Sequence, residues 1–569
     1  MIKRHHKEGV LKMNVKNEIL YESPRIGVFV CDCGSNIAGH LDCPDVAEYA
    51  RTLPDVVYAK ENLYTCSEAG IGEIKKAIKE QDLNRVVVAS CSPRTHQPLF
   101  SSSCAEAGLN PYLFEMVNIR DQCSWVHMGE RQNATHKAKK LVRMGVAKSA
   151  GLAPLDEIES SLVRKVLVIG GGIAGLSAAQ ALADMKLDVI LVEKTSGFGG
   201  LLQQVHRLDS GKSAKETMLT IIDDVCSRPN IVCHTQAKLK ETGGYIGNYN
   251  VKIETKEGLF EEKAGCIVVA TGAVPLVPQG LYGYNGKNVI SLMELEKKLK
   301  KQEFSAKCVV FIQCAGARTK EKEYCSRICC MIGVKNAMLI KKKHPLTDVR
   351  ILYRDMQMYG TYKEQMLWNA RGMGIRFDVY NPGNPPEVKE GKLEFFQAVT
   401  GKTVSLDTDL VVLSTPLVPG NDSGSLANML RVPTDQNGFF LEAHAKLRPL
   451  DFAADGIFVC GSGRYPATST EARTQGIGAA SRVAAILFKE KLVKSAIVAD
   501  INPDSCVGCM ACLSMCPCEA ITYNREKQTC EVNEILCKGC GNCAATCPSH
   551  SAQLRGFKPE QLLAQIRAV

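Results

Sequence analysis

Lys165–Leu182 reads KVLVIGGGIAGLSAAQAL: an apolar strand, a glycine-rich turn, then small and apolar residues at helical spacing. Gly170, Gly172 and Gly175 fit G-x-G-x-x-G. The first glycine permits the tight turn, the second lets a pyrophosphate approach the backbone, and the third lets helix pack on strand. Ile173 and Ala174 open the helix, whose first amides and positive dipole end suit phosphate. A second apolar strand, LDVILVEK, ends at Glu193, placed to accept hydrogen bonds from ribose hydroxyls, with Lys194 and Gly200 following. Strand, turn, helix, strand and acid in this order predict a doubly wound α/β domain that binds a dinucleotide.

This motif leaves FAD and NAD both open. Two later segments favour FAD. GCIVVATGAVP (265–275) resembles the strand and A-T-G turn of two-dinucleotide flavoproteins, with Thr271 and Gly272 as candidate contacts. DGIFVCGSGRYP (455–466) resembles their closing flavin motif, with Gly461 and Ser462 after the strand and Gln475 and Gly476 near the next helix start. Ser462 stands where an aspartate is usual, so backbone amides are expected to hold the ribitol end. A nicotinamide site would need a second glycine motif after the strand CVVFIQ (308–313). The chain instead reads CAGAR there, and EYCSRICCMIG follows. Cys314, Cys325, Cys329 and Cys330 are thus either buried structural thiols or ligands of a further cluster.

The tail is read with least ambiguity. Cys506, Cys509, Cys512 and Cys516 precede Pro517, and Cys537, Cys540, Cys543 and Cys547 precede Pro548, an internal repeat of C-x2-C-x2-C-x3-C-P. In two-cluster ferredoxins the fourth cysteine of each run serves the other cluster. One [4Fe-4S] set is then Cys506, Cys509, Cys512 and Cys547, the other Cys537, Cys540, Cys543 and Cys516. Cys518 and Cys530 fall outside the pattern and read as plain thiols. A helix from Pro559 to Val569 closes the chain.

Upstream, residues 25–150 alternate short apolar runs with helical patterns, an α/β layer with cysteines in the loops after its strands: Cys31 and Cys33, Cys66, and Cys91. The domains expected are an N-terminal extension (1–24, with Met13 as an alternative start), an α/β domain (25–150), a linker (151–162), a flavin domain (163–495) and a two-cluster tail (501–569). Within the flavin domain, 163–275 and 445–495 form the flavin part, and 276–444 the cluster-bearing middle. The 26 cysteines, many as C-x-x-C in a 569-residue chain without a secretory pattern, favour reduced metal-binding thiolates over disulfides and a cytoplasmic setting. The formal charge of +10 is no argument for nucleic-acid binding, because each cubane with its four thiolates contributes roughly −2. No apolar run is long enough to span a membrane. No nucleophile–base–acid set stands out, so no catalytic residue is named; His96, His127 and His206 are isolated and read as structural.

With these motifs in place, the chain resembles the A subunit of heterodisulfide reductase along nearly its whole length. The blocks that carry the likeness are CDCGSNIAG, YTCSEAG, VVVASCSPRTHQPLF, NPYLFEMVNIRDQCSWVH, QCAGARTKEKEYCSRICC, ILYRDMQMYG, GIFVCGSG and the ferredoxin tail. The resemblance implies a thioredoxin-reductase-like FAD domain with one [4Fe-4S] cluster and a second cluster in the N-terminal domain. That second cluster would draw four ligands from Cys31, Cys33, Cys66, Cys91 and Cys123, with Cys43 and Cys104 as bystanders. It further implies flavin-based electron bifurcation with heterodisulfide reductase B- and C-like subunits, a further electron-donor module and ferredoxin, in a multi-subunit complex of which a dimer is one expected form. Many relatives insert a ferredoxin between the first flavin motif and the A-T-G turn. Here residues 201–265 hold only Cys226 and Cys233. Two other expectations compete: an NAD(P)H-dependent flavin disulfide reductase, opposed by the missing second glycine motif, and a non-bifurcating flavin–ferredoxin relay or cluster carrier.

Overall fold

The computed structural model describes residues 23–389 and 391–569; Met13 and nearly all of the expected N-terminal extension lie outside the described residues. The chain divides into two compact units, one built from the chain up to Ile158 together with Val493–Val569, the other from Glu159–Leu492.

In the first unit, strands β1 (Ile26–Cys31), β2 (Val56–Asn62), β3 (Arg85–Ser90) and β4 (Phe114–Asn118) form a parallel sheet in the order 2-1-3-4. Residues of β1 and β3 are buried throughout, as expected of central strands covered on both faces by helices. The order reverses between β1 and β3, so the loops after these strands open at a switch point, where such sheets hold ligands. Helices Cys43–Arg51 and Arg131–Ala150 cover one face; Glu68–Glu80 and Pro93–Glu106 cover the other.

The second unit has two five-stranded parallel sheets. The flavin part holds β5 (Lys165–Ile169), β6 (Asp188–Val192), β7 (Ile231–His234), β8 (Cys266–Val269) and Ile457–Val459, with β5 central between β8 and β6. Helix α1 (Ile173–Asp184) packs directly against α2 (Ser469–Leu487) on one face of the sheet. In place of a cluster-bearing insert, residues 214–264 form a helix, β7 and a three-stranded antiparallel meander. The middle part orders its strands Val289–Ser291, Leu410–Leu413, Cys308–Ile312, Asp348–Tyr353 and Arg376–Val379, all parallel. This is the frame of a second dinucleotide domain, with Cys314 just past the strand where its glycine turn would stand.

The C-terminal segment belongs to the first unit. Its two cysteine runs sit between short antiparallel strand pairs, Ala499–Ile501 with Ala552–Leu554 and Ile521–Asn524 with Thr529–Val532. The closing helix spans Pro559–Arg567. Gln561 Nε2 donates to Gly151 O (2.7 Å), Ala496 N donates to Tyr112 Oη (2.7 Å), and Lys148 Nζ stands 4.3 Å above the Phe557 ring. The N-terminal α/β domain and the C-terminal segment are therefore packed together. The expected linker is pinned rather than loose: Arg85 donates to Leu152 O (2.8 Å) and Asn110 to Leu155 O (2.9 Å). Among the described residues, no helix is long and apolar enough to cross a membrane.

Candidate dinucleotide and cluster sites

The glycine turn has the geometry its sequence demands. Gly170 has φ +107°, and a Cβ on Gly175 would stand 1.9 Å from Gly170 O, so the third glycine is what lets helix and turn touch. Glu193 Oε2 accepts from Gly171 N (2.8 Å), and Oε1 accepts from Thr195 N and Oγ1 (both 2.7 Å), which fixes the acid beside the turn.

A cavity of about 670 Å³ opens here, within the range of cofactor sites. Its wall includes Gly170, Gly172, Ile173, Ala174, Glu193, Lys194, Gly200, Thr271, Gly272 and Ser462. The Thr271 hydroxyl is buried without a hydrogen-bond partner, an orphan polar atom of the kind a bound cofactor satisfies. Lys194 pairs with Asp422 (2.9 Å). The remaining candidates act one layer back. Gln475 Oε1 accepts from Gly461 N (2.9 Å), holding the closing turn, and Gly476 lies against Ala174 O, where a Cβ would come within 2.2 Å. The cavity also meets the first turn of α2 at Thr468 and Ser469, a second helix start. A turn for pyrophosphate, an acid for ribose and an orphan hydroxyl fit an extended dinucleotide such as FAD.

The opposite wall comes from the middle part: Glu296, Ile328, Met331, Ile332 and Lys335. Lys335 and Glu296 form a buried pair (2.5 Å, side chains 8% and 1% exposed). Lys335 also donates to Arg207 O (2.7 Å), and Glu296 accepts from His206 N (2.9 Å). Sequence reading missed this pair because the partners are 39 residues apart; an isolated lysine in an apolar helix pattern was the available signal.

Cys329 and Cys330 begin the helix Cys329–Lys343, between the cavity-lining Ile328 and Met331. Their thiols are in electrostatic contact with those of Cys314 and Cys325, so the four expected residues converge. Burial pushes the thiols up, Cys330 to about 12, with neighbouring thiols adding to the rise. Three buried thiols gathered beside the half-buried Cys325 are poorly placed as thiolates unless a cation offsets them, which suits a cluster. Arg318 and Arg354 also face Cys314, and Arg327 N donates to Cys325 Sγ (3.3 Å). The Arg327 guanidinium lies between the rings of Tyr359 (4.8 Å) and Tyr465 (4.7 Å) and pairs with Glu471 (3.0 Å), tying this loop to α2.

In the N-terminal sheet the structure separates the five candidate cysteines. Cys66 and Cys91 are each in electrostatic contact with both Cys31 and Cys33, and Arg120 faces Cys91 and Cys33. Thr65 N donates to Cys31 Sγ (3.4 Å). Cys123 stands apart: fully buried beside Ile119, Ala134 and Ala138, its thiol donates to Ala134 O (3.1 Å). Cluster thiolates accept hydrogen bonds, so a thiol spent on a carbonyl behaves as a plain thiol. Cys43, buried near the Cys31 carbonyl, and Cys104, in the core with Phe100 and Ile74, behave likewise.

In the tail, Cys506, Cys509, Cys512 and Cys547 line one small cavity, the crossed set expected from the repeat. Cys547 is brought down to about 7: burial raises it, but hydrogen bonds from Ser551, Ala552 N and Ser549 outweigh that. Cys537 accepts from Ala499 N (3.3 Å) and Gly539 N (3.4 Å), and Cys516 from Ala520 N (3.3 Å). Amides aimed at sulfur suit cluster thiolates. Among the described residues no three His, Cys, Asp or Glu side chains are set to hold a single metal ion. A cubane engages its thiolates at four separate irons, a wider arrangement.

Residues 164–316 match a pyridine nucleotide-disulphide oxidoreductase family, and residues 484–551 a 4Fe-4S dicluster domain. Among solved structures, thioredoxin reductase of T. acidophilum is 16% identical, covering 57% of this chain and 98% of its own, with a TM-score of 0.41. An iron-sulfur A subunit of the CoB--CoM heterodisulfide reductase of Methanopyrus kandleri is 37% identical over 88% of this chain and 91% of its own length. The A subunit of the H(2):CoB-CoM heterodisulfide,ferredoxin reductase of Methanothermobacter thermautotrophicus is 37% identical over 97% of this chain and 98% of its own. That alignment extends over 653 positions, so the relative carries segments this chain lacks. With a dinucleotide fold, a dicluster tail and end-to-end similarity of this kind, the chain belongs to the family of heterodisulfide reductase A subunits, flavin- and iron–sulfur-dependent oxidoreductases.

Proposed function

We propose that this chain is the electron-distributing component of a heterodisulfide-reductase-type complex, taking electron pairs at FAD and dividing them among four [4Fe-4S] clusters, as in flavin-based bifurcation. The observation that carries the reading is the shared wall: Ile328, Met331 and Ile332 line the dinucleotide cavity and bracket Cys329 and Cys330. When bound, a flavin exchanges electrons in pairs or singly, and cubane clusters carry them singly. The residues hold these groups in place. Gly170, Gly172 and the start of α1 would seat the pyrophosphate, Glu193 the ribose, and Thr271, Gly272, Ser462 and the start of α2 the flavin end. The ligand sets would be Cys314, Cys325, Cys329 and Cys330; Cys31, Cys33, Cys66 and Cys91; and the two crossed sets of the tail. Arg318, Arg354 and Arg120 supply positive charge against the thiolates.

Names of relatives suggest the partners. The Methanosarcina acetivorans relative, 34% identical over 95% of this chain, is called ferredoxin/F(420)H(2)-dependent. B- and C-like subunits, a donor module and ferredoxin are accordingly the partners we assign here. A missing inserted ferredoxin would leave one exchange route to a partner. The test is iron, acid-labile sulfide and flavin per chain on anaerobically purified protein, followed by reductive titration. About sixteen irons with one FAD are expected. About eight irons would refute the sets outside the tail, and direct bleaching of the flavin by NADH in the isolated chain would favour a self-sufficient disulfide reductase.

A further inference from the structure

Cys226 and Cys233 belong to none of the proposed cluster sets, yet their sulfurs lie 3.6 Å apart, with the Cys226 thiol donating to Cys233 Sγ. Cys226 stands in the last turn of the helix Ala214–Ser227. Cys233 lies in β7, the edge strand of the flavin-part sheet, in register with Leu191 of β6. The turn between them is pinned. Arg228 pairs with Asp184 and with Asp224 (3.0 Å), and Asn230 Nδ2 donates to Ala183 O and Leu187 O (both 3.1 Å). Helix end, turn and strand therefore hold the two sulfurs side by side. Among the cysteines outside the proposed ligand sets, Cys226 alone is exposed. Cys233 is half-buried behind it, and burial holds its thiol above the usual value.

We propose that Cys226 and Cys233 form a thiol–disulfide exchange site, which takes a small disulfide as substrate and closes to an intrachain bond. A sulfur–sulfur bond is about 2.05 Å long, so closure brings the two sulfurs together by about 1.6 Å, a distance that side-chain rotation covers. Cys226 gives its proton to solvent, and its thiolate attacks one sulfur of the small disulfide. That S–S bond breaks, a mixed disulfide forms on Cys226, and the first thiolate leaves. Cys233 then gives up its proton and attacks the Cys226 sulfur, and the second thiolate leaves. The pair loses two electrons and two protons, and the small disulfide gains both as two thiols, so no further oxidant is needed. Exposure sets the order of the steps: the incoming disulfide reaches the thiol open to solvent, and the thiol behind it resolves the mixed disulfide. The site goes beyond the electron-distributing role proposed above, since its chemistry passes through neither a flavin nor a cluster.

The test treats the full-length, anaerobically purified protein with oxidised glutathione, alkylates the remaining thiols and maps the tryptic peptides by mass, with iron and flavin counted alongside. Trypsin cuts after Lys215 and Lys238 but not at Arg228, which precedes Pro229, so both cysteines fall in one peptide, 216–238. Expected in the native chain is loss of both alkyl groups from that peptide with no glutathione attached, reversed by dithiothreitol. Cys233→Ser should trap glutathione on Cys226, because the resolving thiol is gone. Cys226→Ser should leave Cys233 alkylated and free of glutathione. A native chain that keeps glutathione on Cys226, as the Cys233→Ser variant does, overturns the proposal by showing that the pair does not close. A peptide that keeps both alkyl groups overturns it as well. Linkage found only in chains that have lost iron or flavin assigns the bond to unfolding and also overturns it.

Discussion

Glu296→Leu should be among the costliest single substitutions in the second unit, and adding Lys335→Met should restore most of the loss. The two side chains are 1% and 8% exposed and meet at 2.5 Å. Lys335 has a second acceptor in Arg207 O, and Glu296 a second donor in His206 N, so the pair is embedded on both sides. Removing the carboxylate leaves an ammonium in low dielectric with a carbonyl as its main partner. Breaking such a buried pair from one side costs about 3–5 kcal/mol. Replacing both partners by apolar side chains of similar size returns the protein to within about 1–2 kcal/mol of wild type, because two desolvation penalties vanish with the attraction. The coupling should therefore exceed about 2 kcal/mol, well above the few tenths typical of independent sites. Both residues line the dinucleotide cavity, so urea-induced release of bound flavin, with equal slopes among variants, is a suitable reporter. Additive effects, or a Glu296→Leu cost below about 1 kcal/mol, would refute the argument that the pair is held in a dry site.

Gly175→Ala should abolish flavin retention while leaving the iron of the tail in place, since its Cβ would fall 1.9 Å from Gly170 O; bound flavin per chain measures it. Cys123→Ala should keep the N-terminal cluster and Cys66→Ala should lose it, a difference of about four irons per chain by iron analysis. His206 is held below its ordinary value by burial and by the charges of Lys343 and Arg207, and its Nε2 is buried without a partner. Its unfolded form thus takes up a proton first as pH falls below about 6.5, so it costs nothing above that value and destabilises the fold progressively below it. His206→Gln should flatten the acid-side loss of stability between about pH 7 and 5 in urea melts.

Local chemistry was legible in the sequence wherever it repeats or punctuates. The turn Gly170–Gly175, the acid at Glu193 and the eight tail cysteines are short-range patterns, each recognisable from spacing within a few residues. Long-range selection was not legible. Cys123 follows a parallel strand much as Cys91 does, and nothing local distinguishes them. Packing under Arg131–Ala150 separates them, turning the Cys123 thiol toward Ala134 O. For the same reason the pairing of Lys335 with Glu296, 39 residues apart, is not legible from spacing. Union of the N-terminal α/β domain and the C-terminal segment in one unit was equally hidden, since it rests on contacts such as Gln561 to Gly151, 410 residues apart.

On the function proposed above, the middle domain illustrates how an electron-dividing site would differ from a hydride-accepting one on the same frame. Its parallel sheet is that of a nicotinamide-binding domain, in which a glycine turn after the strand Cys308–Ile312 would receive a pyrophosphate. Here Cys314 takes that position with φ +59°, and the loop runs on to Cys325 before the helix begins at Cys329. A phosphate cradle needs the free amides of an immediate helix start, which this long loop removes. What the loop gains is four thiols gathered against the cavity wall, with Arg327 clamped between two tyrosines and held by Glu471. A hydride donor must enter and leave, so its domain has to expose the flavin face. A cluster must stay at a fixed distance from the flavin, so its domain has to be locked. Arg327→Met, which removes the ion pair and both ring contacts, should therefore loosen the middle domain without touching a ligand: iron and flavin contents stay at wild-type values, while hydrogen exchange rises in residues 325–332 and at the start of α2. Unchanged exchange in both segments would show that the domain is fixed by other contacts.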